Sequence, residues 1–435
     1  MSELRRMAGR HWAADSSSRA KAISPAKTVS RAGAAQEASP RRGLRAAVAF
    51  ASAASLVVTG LGFKLLPEFT RGGDILGPKS SDGSVNVLLI GLDSRKDQNG
   101  NDLPAATLEK LHAGDGQEGG YNTNTLILIH IPMRGGKAVA FSIPRDDYVS
   151  VRGIKGYNKI KIKEAYGLKK FEVENALAAK GVADRKRLER EGREAGRQET
   201  LQTVRDLLGV PIDQYAEVNL VGFYDVAKAL GGIEVCLNHA VYDDYSGANF
   251  PAGSQTLGAS QALAFVRQRH GLDNGDLDRT HRQQAFLAGV EHKLSSSGTL
   301  SNLGELQSLV SVAQKDVVLS PNWDVVGFIQ QIQRSTGGAV EFRTLPVERF
   351  DMIDEQSVNI IDPKKVAAEV QQAFGRAPAA PIAPSSSSAR ATAPSTNSRS
   401  SSDGDGATRP AAADQSPSKP DHGKPVESGG VPCVD

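Results

Sequence analysis

Between residues 267 and 284 the chain carries Arg267, Arg269, Arg279 and Arg282, with Gln283 and the carboxylates of Asp276 and Asp278 interspersed. A guanidinium is planar and permanently charged, and its fork of N–H donors matches phosphate oxygens two at a time. Arg267 follows the apolar run Leu263–Val266. A strand there would put Arg267 and Arg269 on one face, because strand side chains alternate. Arg279, Arg282 and Gln283 fall at i, i+3 and i+4, on one face of the helix expected to carry Phe286, Val290 and Leu294. Two pairs of forks aimed at one place suit a doubly anionic ligand with many oxygens, such as a diphosphate. The bland alternative is a set of solvated arginines in an arginine-rich chain. His270 and His281 have no zinc-like spacing partner and read as packing or hydrogen-bonding residues.

The elements that must position these groups read as alternating strands and helices. Val85–Ile90, Leu126–Ile131 and Ala138–Ile143 are near-continuous apolar runs, the last two flanking a turn at 132–137, a hairpin signal. Strands without polar alternation need cover on both faces, which predicts a sheet between helices. Residues 160–180 and 184–208 read as helices, the second beginning as a dense Arg/Glu run expected to be a solvated face and ending at Gly209-Val210-Pro211. Tyr215–Leu220 and Ile233–Leu237 read as strands around a helix at Phe223–Leu230. Helices follow near 303–315 and 322–335, then a strand at Val340–Leu345 and a last helix at 363–374. The fold class is therefore α/β, a three-layer α-β-α sandwich with a central mixed sheet.

Charge and hydropathy set the frame. Residues 1–45 hold ten Lys/Arg against three acids, which leaves about −4 for the remaining 390 residues of a +3 chain. The basic excess thus belongs to a tail, and a nucleic-acid binder would carry it on the folded module. From Ala46 to Phe63 no residue is charged. Eighteen residues at about 1.5 Å each reach roughly 27 Å, enough for a bilayer. With Arg41, Arg42 and Arg45 before it, this segment predicts a single-pass anchor with a cytoplasmic N-terminus and an extracellular body. The expected domains are 1–45 basic and disordered, 46–66 transmembrane, 67–84 linker, 85–375 an extracellular folded domain, and 376–435 a disordered Ala/Pro/Ser-rich tail. Cys236 and Cys433 are compatible with one disulfide in an oxidising compartment.

Several ordered motifs resemble the LytR-CpsA-Psr family of cell-wall glycopolymer transferases, over roughly residues 84–295. Asn86-Val87-Leu88-Leu89-Ile90-Gly91-Leu92-Asp93-Ser94-Arg95 is similar to that family's opening motif, and Ser142-Ile143-Pro144-Arg145-Asp146 to its S-I-P-R-D. Ala229-Leu230-Gly231-Gly232-Ile233 resembles its central segment, and Gln261–His270 its Q-A-L-x-Y-x-R-x-R-H.

The resemblance implies transfer of a glycan-1-phosphate from a polyprenyl-diphosphate carrier to a peptidoglycan hydroxyl. It implies that Arg145, Arg267, Arg269, Arg279, Arg282 and Gln283 grip the diphosphate, with Arg145, Asp276 and Arg279 closest to the chemistry. It further implies a Mg²⁺ cofactor held by Asp93 and the residue at 124. The sequence departs from the family pattern at Asn122, where an arginine is usual, at Asn124, where an aspartate is usual, and at Lys163, where an asparagine is usual. An amide oxygen can coordinate Mg²⁺ but brings no charge. Two other readings follow: a module that binds and presents lipid-linked glycan without turnover, and hydrolysis of the same diphosphate. Transcriptional regulation is disfavoured by the expected export and the lack of a basic recognition helix.

Overall fold

The computed structural model describes residues 70–71, 75–116, 120–133, 136–296, 309, 311–312, 316–329, 340–375, 425–427 and 430–435. The expected segments 1–45 and 46–66 lie outside the described residues. So do most of the helix expected near 303–315, residues 330–335 of the one expected near 322–335, and most of the tail. Among the described residues no helix is long and apolar enough to cross a membrane.

The chain opens with β1 (Thr70–Arg71), β2 (Val85–Leu92), α1 (Ala105–Lys110), β3 (Thr123–Ile131), β4 (Ala138–Ser142) and the small hairpin β5 (Tyr148–Ser150) and β6 (Lys159–Lys161). Two long helices follow, α2 (Glu164–Ala179) and α3 (Arg185–Leu208), then β7 (Gln214–Val218), α4 (Leu220–Ala229) and β8 (Ile233–Leu237). Next come β9 (Val241–Asp243), β10 (Ala248–Phe250), β11 (Gly253–Leu257), α5 (Ala259–Arg267) and α6 (Asp276–Ser296). The remainder is β12 (Val317–Leu319), β13 (Val340–Thr344), β14 (Arg349–Ile353), β15 (Gln356–Ile360), α7 (Pro363–Ala373), β16 (Val426–Glu427) and β17 (Cys433–Val434).

Eight strands make one sheet in the order β1-β12-β7-β2-β3-β4-β13-β16. It is mixed: β2 runs parallel to β7 and antiparallel to β3, while β4 runs antiparallel to β3 and parallel to β13. The C-terminal ends of β2, β4 and β7 and the N-terminal end of β3 therefore share one edge.

Both faces of the sheet are covered, as the apolar strands require. One face packs Leu88, Ile90, Leu126, Leu128 and Phe141 against Tyr166, Leu201, Val204 and Val370 of α2, α3 and α7. The other packs Ile127 and Ala140 against Leu220, Leu263, Phe265 and Phe286 of α4, α5 and α6. Local signals set the helix ends. Asp184 accepts from Lys186 N at the start of α3, and Gly209 takes a left-handed φ of 66° at its end. Burying apolar side chains on both faces, at ~25 cal/mol per Å² removed from water, is the main force holding these layers together.

Three sequence expectations need correction. Residues 259–267 form a helix rather than a strand, so Arg267 ends a helix and Arg269 lies beyond its cap, Gln268. Four apolar residues in a row suit a buried helix face as well as a strand, and Gln261, whose Oε1 accepts from Gly258 N at 3.0 Å, starts the helix.

The Arg/Glu half of α3 is solvated on one side only, where Arg185, Lys186, Arg187 and Arg190 are exposed. Glu189, Arg193 and Arg197 are buried. Arg193 Nη2 and Arg197 Nε clasp Glu217 of β7 at 2.6 and 2.8 Å, and Tyr166 donates its hydroxyl to the same carboxylate at 3.0 Å. Close packing of α2 on α3 needs Gly196, since a Cβ there would lie 2.6 Å from the Tyr166 carbonyl oxygen.

The end of the tail is ordered. Glu427 and Val426 of β16 pair with β13, β17 adds parallel to β8, and Cys433 is disulfide-bonded to Cys236.

Candidate active site

The shared sheet edge carries the groups singled out in the sequence. Gly91 lies opposite Thr125 in a register that shifts between Gly91 and Leu92. A Cβ at Gly91 would come within 2.9 Å of Thr125 Cβ, so the close approach admits only glycine. Asp93 and Arg95 leave this edge from β2, Asn124 from β3 and Arg145 just after β4. Ligands of open α/β sheets bind outside the carboxyl ends of the strands, which is where these residues stand. The loop 268–275 and the first turn of α6 lie against the same edge.

A cavity of about 450 Å³ opens there. Its mouth is lined by Asp93, Arg95, Asn124, Arg145, Arg267, Arg269, Arg279 and Gln283. Its interior runs between the sheet and α4, α5 and α6, past Leu89, Ile127, Val218, Phe223, Leu263 and Phe286. Phe223 and Phe286 hold their ring centroids 5.0 Å apart across it. One cavity thus joins a cationic rim to a greasy interior.

Around Asp276 the charges interlock. Its Oδ1 pairs with Arg145 Nε at 2.9 Å and with Arg279 Nη2 at 2.6 Å. Arg279 Nη2 also donates to the Asn124 carbonyl oxygen at 3.3 Å. Burial pushes the Arg279 guanidinium down to about 10, Asp276 opposing the shift and Arg145 adding to it. Asp146 pairs with Lys163 Nζ at 2.6 Å and with Arg145 Nε at 3.3 Å. Burial alone would raise the Asp146 carboxyl, but Arg145 and Lys163 outweigh it and hold the group below its ordinary range. Behind them Asp147 is fully buried and pushed well above a normal carboxylate by that burial, with Asp146 and Asp276 adding to it. Asn359 Nδ2 donates to Asp147 at 3.0 Å and opposes that shift.

Several donors here have no protein acceptor. Arg95 Nε and Nη1 and Arg279 Nε are buried without a hydrogen bond. Buried polar groups are nearly always satisfied, so such a cluster of donors marks a place built for an outside acceptor. Anionic oxygens would satisfy all three.

Of the expected diphosphate ligands, Arg145, Arg267, Arg269, Arg279 and Gln283 line the one cavity. Arg267 Nη1 is held by the carbonyls of Leu111 and His112 at 2.9 and 3.2 Å, and Gln283 Nε2 by that of Val266 at 3.3 Å. Arg282 does not join them, which corrects the expectation for it. Its side chain is fully buried and bonds to Gln268 and Asp435 instead. Helical positions three and four apart diverge enough here for Gln283 to face the cavity and Arg282 the protein. Asp278, in the first turn of α6, reaches back to accept from Asn274 N at 2.8 Å. Arg95 also lines the cavity and is the residue that sequence reasoning left out of the expected diphosphate ligands. Its place at the end of the opening motif was the available signal.

The residues proposed for magnesium divide. Asp93 is a cavity-lining carboxylate and fits a cation that Mg²⁺ usually binds through one or two carboxylates plus phosphate oxygens. Asn124 Oδ1 is already an acceptor for Arg145 Nη1 at 2.7 Å. Among the described residues no group of three or more His, Cys, Asp or Glu could hold a metal ion.

Residues 69–374 match the LytR_cpsA_psr family. The "Cell wall biosynthesis protein LcpA" of Corynebacterium glutamicum is 40% identical over 372 residues, covering 82% of this chain and 71% of that protein. The "Polyisoprenyl-teichoic acid–peptidoglycan teichoic acid transferase TagU" of Bacillus subtilis is 29% identical over 212 residues, 48% of this chain and 59% of that protein. The crystal structure of protein gbs0355 from Streptococcus agalactiae shares the fold at a TM-score of 0.50 and 19% identity, covering 68% of this chain and 90% of that one.

Proposed function

The chain belongs to the LytR-CpsA-Psr family, and on that premise we propose that it is a membrane-anchored phosphotransferase acting outside the cell. It moves a glycan-1-phosphate from a polyprenyl-diphosphate carrier to a peptidoglycan hydroxyl. The observation that carries this reading is the single cavity with a guanidinium rim and an apolar interior, which suits a diphosphate on a prenyl chain. TagU, by its name, acts on a polyisoprenyl-linked teichoic acid and on peptidoglycan.

In this reading the prenyl chain lies among Leu89, Phe223, Leu263 and Phe286. The two phosphoryl groups sit against Arg95, Arg145, Arg267, Arg269 and Arg279. The acceptor hydroxyl forms a new O–P bond to the sugar-bearing phosphorus. The bond from that phosphorus to the bridging oxygen breaks, and polyprenyl phosphate leaves with the electron pair. The hydroxyl proton is lost to solvent or to the departing phosphate. Fixed guanidinium donors lower the barrier by meeting charge that grows on the phosphoryl and bridging oxygens. Asp276 keeps Arg145 and Arg279 aimed together. Magnesium, held by Asp93 with phosphate oxygens and water, would supply further neutralisation of the diphosphate. The uncharged segment 46–63 supports the membrane anchor and the extracellular placement of the domain.

The test is full-length protein with a polyprenyl-diphosphate oligosaccharide, peptidoglycan and Mg²⁺. Release of polyprenyl phosphate with glycan attached to peptidoglycan is expected. Bound but unchanged lipid would instead mean a presenting module, and free glycan phosphate without attachment would mean hydrolysis.

A further inference from the structure

The last residues of the chain are folded against the arginine-bearing helix. Cys433 is bonded to Cys236 on β8, and the Val434 carbonyl accepts from Asn238 N at 2.9 Å. The Asp435 backbone oxygen then accepts from Arg282 Nε at 2.7 Å. Arg282 is fully buried, its guanidinium carbon 5.4 Å from the centre of the Phe265 ring. Its Nη1 donates to the side-chain oxygen of Gln268.

Gln268 is the link to the cavity. It is buried between Arg267 and Arg269 in sequence, and its backbone N–H closes α5 onto the Ala264 carbonyl at 3.0 Å. Its Nε2 donates to the His270 carbonyl at 3.2 Å. The guanidinium of Arg282 thus ties together three things: α6, which carries Arg279; the end of α5, which carries Arg267; and the chain end. Arg282 Nη2 is already buried without a hydrogen bond, so losing the Asp435 oxygen would leave a second donor of the same guanidinium unmet, at a cost in free energy. Without the Asp435 oxygen, Arg282 must turn toward water or admit it, and Gln268 loses the partner that fixes it.

We propose that Arg282 and residues 433–435 form a strut that sets the spacing between Arg267 and Arg269 on one side of the diphosphate and Arg279 on the other. Arg282 is then a positioning residue that never touches substrate. The disulfide makes the strut conditional on oxidation, so the phosphate grip is completed only in an oxidising compartment. This rests on the diphosphate reading above.

The experiment uses the full-length protein and farnesyl diphosphate, with binding followed by calorimetry and turnover measured on the lipid-linked glycan. Arg282→Lys keeps the charge and loses the planar fork. A chain ending at Val434 keeps the disulfide and both strands. Each is expected to weaken binding and raise KM by about tenfold while kcat stays within about twofold, the signature of lost ground-state grip. The two changes together should cost no more than either alone, because they break one linkage. Reducing the disulfide should weaken the wild type to the same extent and leave Arg282→Lys no weaker. Additive losses, unchanged binding in the variants, or a fall in kcat at constant KM would overturn the strut alone. Failure of the oxidised wild type to bind farnesyl diphosphate would overturn the diphosphate reading, and the strut with it.

Discussion

Arg145 donates from Nη1 to the side-chain oxygen of Asn124 at 2.7 Å, so a fixed cation occupies the amide proposed to join Asp93 in holding magnesium. Asn124→Asp adds the missing negative charge and a second carboxylate beside Asp93. Tighter magnesium binding is expected, with half-maximal turnover reached at a lower Mg²⁺ concentration. A magnesium titration of both proteins checks this, and superimposable curves would remove residue 124 from any metal role.

Arg279 and Arg145 share Asp276 and point donors into the same cavity. Arg279→Ala should lower kcat/KM by ~100-fold or more, the usual cost of removing one donor aimed at developing charge. Far-UV circular dichroism should be unchanged. Arg145→Lys should also be impaired, since an ammonium cannot reach both Asp276 and Asn124.

The apolar part of the cavity gives a separate handle. Leu287 lines it from α6 and is only half-buried, so Leu287→Trp can be accommodated without overfilling the core. A bulkier side chain there should raise KM for a long polyprenyl donor by about tenfold and leave inorganic diphosphate binding intact. That figure corresponds to ~1.4 kcal/mol of lost contact. Competition between the two ligands checks it.

Glu217 predicts how stability follows pH. It is fully buried; burial alone would raise its carboxyl, but Arg197 and Arg193 hold it down, to about 2 from an ordinary 4.5. A carboxyl depressed in the folded state stabilises above its unfolded value and loses that contribution as pH falls through the folded one. About 3 kcal/mol of stability should therefore be complete above pH 4.5 and disappear toward pH 2. Urea denaturation at a series of pH values should show this slope. Glu217→Gln should flatten it and lower stability at neutral pH by about 3 kcal/mol or more, because two buried guanidinium groups lose the carboxylate they share.

What was legible in the sequence was whatever rests on local pattern. The runs Val85–Ile90, Leu126–Ile131 and Ala138–Ile143 dictated a sheet covered on both sides, and the caps at Asp184 and Gly209 bounded α3. Spacing gathered the arginines into one block but could not orient them. Leu263–Val266 fits helix and strand alike, and only the Gly258–Gln261 cap separates the two. Burial of Arg193 and Arg197 was hidden because their partner, Glu217, lies on a strand about 20 residues on, and a charged helix face reads as solvated unless its counter-charge is known. The docking of residues 433–435 was legible only through the two cysteines, whose expected disulfide is present. No periodicity precedes Cys433, and its partner is 197 residues away.

That bond has a covalent consequence for the segment between 376 and 424. The segment leaves α7 at one end and returns through β16 and β17 at the other, where sulfur fastens it to β8. It is therefore part of a closed ring. A protease that nicks it once yields two polypeptides that remain one molecule and migrate as separate bands only after a thiol is added.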